Sequence, residues 1–149
     1  MSGGTKTFVP VQIGTVWLAL DAAWVREVLG ERPWVPLPGA SPALPGVIAW
    51  RGRAIAVVDI GALTGLANPL HPGRVRHRVV VAQFDPYTLA LPVEAVREVM
   101  EVPEEEFRPP HATMQTYSAG EIDLLGVPTP VLDLPAVIRA IAPATAEGS

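Results

Sequence analysis

The sequence predicts a mainly β protein built from two copies of one β-unit, arranged as small barrels or a sandwich. Short runs rich in Val, Ile and aromatic residues recur along the 149 residues, cut by 17 prolines and 13 glycines. Stretches of helical period are few and short. The chain also repeats itself: Leu18–Leu29 (LALDAAWVREVL) and Leu89–Met100 (LALPVEAVREVM) agree at seven of 12 positions, at an offset of 71 (89 − 18). Ile55–Leu63 and Thr129–Val137 match at an offset of 74 (129 − 55), so that Val57, Asp59 and Ala62 recur as Val131, Asp133 and Ala136. Gly46 and Gly52 recur as Gly120 and Gly126. One domain with pseudo-repeats over about residues 8–66 and 75–141 follows, with polar tails at residues 1–6 and 142–149.

Taken in order, Thr7–Ile13 alternates as a strand, Gly14-Thr15 turns it, and Val16–Leu20 returns as its hairpin partner. Val47–Arg51 and Ala54–Val58 flank Gly52-Arg53 as a second hairpin. Arg78–Phe84 and Tyr87–Leu91, around Asp85-Pro86, make a third, and Ile122–Leu125 with Val127–Leu132, around Gly126, a fourth. Ile60–Thr64 reads as a short helix. So does Leu134–Ile141, which places Leu134, Val137, Ile138 and Ile141 on one face. Leu66–Arg74, with Asn68-Pro69 and Pro72-Gly73, links the copies. The change of offset puts three extra residues between Met100 and Gly120.

Composition excludes several functions. Net charge is −4 and Lys6 is the single lysine, a poor balance for gripping nucleic acid non-specifically. With no cysteine there is no disulfide scaffold, thiol nucleophile or thiolate metal site. The apolar share is 49%, yet the longest uncharged run, Pro33–Trp50, holds five prolines and cannot cross a bilayer as a helix. The first six residues lack the apolar stretch of a signal peptide, so a soluble cytoplasmic chain is expected.

Catalytic patterns are nearly absent, and neither a cofactor nor a metal is expected. His71, His77 and His111 lack ligand spacing, and Ser41 lacks the second glycine of a nucleophile elbow. Asp59 and Asp133 each end a strand and open a helix, where a carboxylate caps free N–H groups. Arg74, Arg76 and Arg78 read as a solvated strand face, and Glu104-Glu105-Glu106 as a solvent-facing turn open to a basic partner. All four tryptophans (17, 24, 34 and 50) lie in the first copy, as core fillers or partner contacts. Arg51 is the sharper clue. Its counterpart is Leu125, so the shared fold does not require an arginine there, whereas Glu27 recurs as Glu98. Glu27 and Arg51 are therefore a candidate pair tied to what the first copy does differently.

The ordered motifs resemble the CheW family of chemotaxis coupling proteins. They are Val25–Leu29 (VREVL), Val35–Pro38 (VPLP) and Leu44–Asp59 (LPGVIAWRGRAIAVVD), echoed by Val93–Val99 and Val131–Leu134. The resemblance runs from about Phe8 to Ile141. It implies two intertwined SH3-like five-stranded β-barrels with a few short helices. It further implies a non-catalytic adaptor joining the signalling tips of methyl-accepting chemoreceptors to the regulatory domain of a CheA-type histidine kinase. The family's receptor-side positions fall on Val25, Glu27, Gly46 and Arg51. Where the family commonly has Asn-Leu-Arg-Gly, this chain has Ala49-Trp50-Arg51-Gly52. Strand alternation then puts Trp50 toward the core and Ala49 on the side of Arg51, where the missing asparagine removes a donor and an acceptor from the docking groove. Two alternatives stay open: an accessory paralogue that engages one partner only, or an unrelated SH3-like peptide-binding module.

Overall fold

Alternating apolar residues, closed by turns that tolerate positive φ, set out the architecture. The structure is a computed structural model, which describes residues 4–67, 78–110 and 116–141. The first half contains β1 (Thr5–Ile13), β2 (Val16–Asp21), β3 (Val25–Leu29), β4 (Val35–Ser41), β5 (Leu44–Trp50), β6 (Arg53–Val57) and helix α1 (Ile60–Thr64). The second contains β7 (Arg78–Phe84), β8 (Tyr87–Val93), β9 (Ala95–Val96), β10 (Met100–Pro103), β11 (Ser118–Leu124), β12 (Val127–Leu132) and helix α2 (Leu134–Ile141). The linker from Asn68 on, the histidines, Arg74 and Arg76 lie outside the described residues. No helix among those described is long and apolar enough to cross a membrane.

The strands form two sheets. One runs β10-β1-β2-β12-β11, with β9 also on β1; the other runs β3-β7-β8-β6-β5-β4. Each has six strands rather than the expected five. Counted among them are β9, only two residues long, and β4, whose prolines suit an edge strand because no ladder N–H is required of them there. The order of pairing is the same in both sheets, but the leading hairpins are exchanged. β1 and β2 of the first half join β10, β12 and β11 of the second, while β7 and β8 join β3, β6 and β5 of the first. The exchanged hairpins enter through parallel contacts, Val131 beside Ala19 and Ala56 beside Leu89.

The residues group accordingly into two compact units. Unit 1 comprises Met1–Pro10, Trp17–Ala23 and Arg97–Ser149; unit 2 comprises Val11–Val16 and Trp24–Val96. In unit 1, Phe8, Ala19, Val102, Ile122, Leu124 and Val131 form a buried cluster, with Met100 and Phe107 packed on it. In unit 2 the corresponding cluster includes Trp34, Trp50, Ile48, Ile55, Val57, Val79 and Val81. Burying each indole is worth roughly 4–6 kcal/mol before the opposing entropy.

Two turns correct the sequence reading. The β5–β6 hairpin turns on Arg51-Gly52, not Gly52-Arg53, with φ of 48° and 80°. The β11–β12 hairpin repeats it at Leu125-Gly126, with φ of 53° and 81°. A two-residue hairpin of this hand needs positive φ at both central positions, so the residue before the glycine is drawn into the turn.

Both helices stand where the periodicity places them, and both aspartates cap. Asp59 Oδ1 accepts from the Ala62 N–H at 3.2 Å, and Asp133 Oδ1 from the Ala136 N–H at 3.1 Å. Asp59 is wholly buried, and Gly65 ends α1 in the left-handed region. Asp59→Ala is expected to lower stability by about 1–2 kcal/mol, measured by urea unfolding. An unchanged midpoint would remove the cap from the account of the fold.

Candidate functional site

Glu27 lies on β3 next to an irregularity in the ladder with β7: Val25 pairs with Ala82 and Glu27 with Val81. Such a bulge re-aims side chains. Arg26 lies exposed and donates through Nε to Gln83 Oε1 at 2.7 Å. Glu27 is half-buried. Its Oε1 accepts from two donors, the Trp50 indole N–H at 3.0 Å and Arg51 Nη2 at 3.3 Å.

The turn at Arg51 makes this geometry. In the left-handed conformation Arg51 leaves the β5 strand line, and its guanidinium carbon lies 4.9 Å from the centre of the Trp50 ring. Arg53 approaches the same ring at 5.8 Å and donates to Thr88 Oγ1 at 2.8 Å. The pair is open to water, Arg51 with 70% of its side chain exposed and Glu27 with 39%, so as an isolated ion pair it adds under about 1 kcal/mol. Its value lies in presentation: a carboxylate and a guanidinium are held ready by a buried indole.

The expected site residues divide. Glu27 and Arg51 meet. Val25 is half-buried two residues before Glu27 on β3. Gly46 lies four residues before Trp50 on β5, roughly 13 Å along the strand. A Cβ there would overlap the Val35 carbonyl oxygen and lie 2.8 Å from the Trp34 ring, so the glycine lets β4 close on β5. Ala49 is exposed, pairs with Ala54, and alternates with the buried Ile48 and Trp50. The alternation that would set Ala49 beside Arg51 does not hold, because Arg51 is a turn residue that folds over Trp50. Trp50, which strand alternation places toward the core, is buried there and also joins the site through its indole N–H.

Elsewhere, Ser41 Oγ accepts from the Leu44 N–H at 3.2 Å and belongs to a turn. Glu104, Glu105 and Glu106 form an exposed 3₁₀ turn. Arg108 Nη2 lies 3.1 Å from Asp123 Oδ1 and 3.3 Å from Glu121 Oε1, and these two carboxylates raise its pKa above the ordinary arginine value. Among the described residues, no group of three His, Asp or Glu side chains is placed to hold a metal ion.

Residues 7–142 match the CheW-like domain family. The chain is 30% identical over 111 residues to the chemotaxis protein CheW of Rhizobium meliloti, covering 73% of this chain and 69% of that protein. A probable chemotaxis protein CheW of Rhizobium etli is 28% identical over 109 residues, with the same coverage. The crystal structure of the scaffolding protein CheW from Thermoanaerobacter tengcongensis has the same fold, with a TM-score of 0.77 at 22% identity over 88% of this chain and 86% of that one. Order of motifs, sheet topology and family match agree, and the chain belongs to the CheW-like domain family.

Proposed function

We propose that the protein is a non-catalytic chemosensory adaptor, coupling the cytoplasmic tips of methyl-accepting chemoreceptors to the regulatory domain of a CheA-type histidine kinase. It acts in the cytoplasm, without a cofactor, as one CheW-like domain of two pseudo-repeats whose sheets curl as SH3-like barrels. The observation that carries this reading is the Glu27–Arg51 pair held on Trp50, in a chain of the CheW-like family. Val25, Glu27 and Arg51 are the receptor side. Gly46 sets the strand that carries Trp50, and Ala49 is an exposed neighbour on the same strand.

Titration of a receptor signalling tip into the wild type, Glu27→Ala, Arg51→Ala and the double variant tests the pair. Each single change should weaken binding by more than about 1 kcal/mol, roughly fivefold, and the double change should cost less than the sum. Circular dichroism must first show each variant folded. Full binding in both single variants would move the receptor side elsewhere.

A second reading, an accessory paralogue that engages only one of the two partners, draws on Ala49 and Trp50, which replace the family's common asparagine and leucine. Pull-down with receptor tips and with CheA separates the two. Capture of both supports the coupler; capture of one supports the paralogue.

A further inference from the structure

The repeat offers two versions of one place in the fold, and their chemistry differs. In unit 2 that place is filled by Trp50, with Arg51 and Arg53 against its ring and Arg53 bonded to Thr88. The counterparts in unit 1, at the offsets of 74 and 71, are Leu124, Leu125, Val127 and Trp17. An isobutyl group stands where unit 2 has an indole, and both arginines have become aliphatic. A recess of about 250 Å³ is open there, lined by Trp17, Arg97, Met100, Leu124, Leu125 and Val127 among others, all from unit 1.

The rim adds direction. Leu125 is 75% exposed and Val127 59% exposed. Leu125 also holds a φ of 53°, which costs a leucine about 1 kcal/mol and returns no burial within the chain. The Arg97 guanidinium carbon lies 4.4 Å from the centre of the Trp17 ring, and the side chain has no carboxylate partner among the described residues. An apolar recess of this volume, walled by an indole and edged by a guanidinium that no carboxylate pairs among the described residues, suits a flat ring with a negative charge beside it.

We infer that this recess binds an aromatic carboxylate, the ring taking the space that Trp50 takes in unit 2 and the carboxylate meeting Arg97. The inference uses none of the residues of the proposed receptor side, so either can fail without the other. The carboxylate can be borne by a free small acid or by an acidic residue next to an aromatic side chain on a partner protein.

Calorimetric titration of the full chain with indole-3-propionate tests it, with tryptamine as the same ring bearing the opposite charge. Saturable one-site binding is expected, with Kd of roughly 0.1–1 mM and tryptamine at least about tenfold weaker. Arg97→Gln should weaken the acid by about tenfold. Leu124→Trp should abolish binding by filling the recess as unit 2 is filled. Should that variant unfold, Val127→Asp puts a repelling carboxylate at the exposed lip and should weaken the acid by about tenfold with the fold intact. A blocked Trp-Glu dipeptide that binds more tightly than the free acid assigns the occupant to a protein segment; weaker binding assigns it to the free acid. Absence of saturable binding, tryptamine as tight as the acid, or unaltered binding in both Leu124→Trp and Val127→Asp would overturn the inference.

Discussion

Gly46→Ala is expected to destabilise the protein by roughly 3 kcal/mol or more, the upper end for an overpacked position. The added methyl has nowhere to go. It would overlap the Val35 carbonyl oxygen, a backbone atom that cannot rotate aside, and press on Trp34, which is itself buried. Relief requires β4 to separate from β5, breaking the pairs Val35–Val47 and Pro36–Gly46. Gly52→Ala is the control. Its φ of 80° carries a cost of about 1 kcal/mol, but its Cβ would meet nothing within 4 Å. Urea unfolding of the two variants separates steric closure from backbone strain, and equal losses would refute the packing argument. The family resemblance would also put Gly46 on the receptor side. If the packing argument holds, its substitutions weaken docking through the fold, and the defect should scale with the unfolded fraction.

Trp50→Ala is expected to cost about 3–5 kcal/mol, because it empties a buried position of the unit 2 cluster and removes the indole donor to Glu27. Trp50→Phe divides the effect. It keeps a ring beneath Arg51 and deletes only the N–H, so stability should fall by about 1 kcal/mol beyond the smaller volume change. Receptor-tip titration of the phenylalanine variant then reads what the N–H contributes to holding the carboxylate. Affinity equal to wild type would mean that Arg51 alone positions Glu27.

Hairpins and helices were legible in the sequence because each is coded locally. Gly14-Thr15, Asp85-Pro86 and Gly126 interrupt apolar alternation, and Asp59 and Asp133 precede runs of helical period. β4 is absent from the expected hairpins: Pro36, Pro38 and Gly39 are poor strand formers, and only its place at a sheet edge makes them acceptable. The exchange of hairpins was not legible at residue level, since nothing within β1 or β7 names the strand it will meet. Within the site, the asymmetry of Arg51 against Leu125 drew attention to the Glu27–Arg51 pair. Trp50 against Leu124 breaks the repeat in the same way, but burial alone accounts for a tryptophan, so its tie to Glu27 is visible only in the fold.

The hairpin exchange also bears on how the chain must be born. Phe8 pairs with Met100, and Ala19 with Val131, so the opening hairpin waits for partners synthesised about a hundred residues later. At ribosomal rates of roughly 5–20 residues per second, that wait lasts about 5–20 s. Throughout it, β1 and β2 are a bare two-stranded ribbon, which is marginal alone and sticky along its edges. The strand carries its own protection. Lys6 puts a charge on it, and Pro10 removes one N–H from the edge that β9 and β10 later cover. The nascent hairpin is thereby a poor template for a neighbouring polypeptide on the same polysome until its own second half arrives.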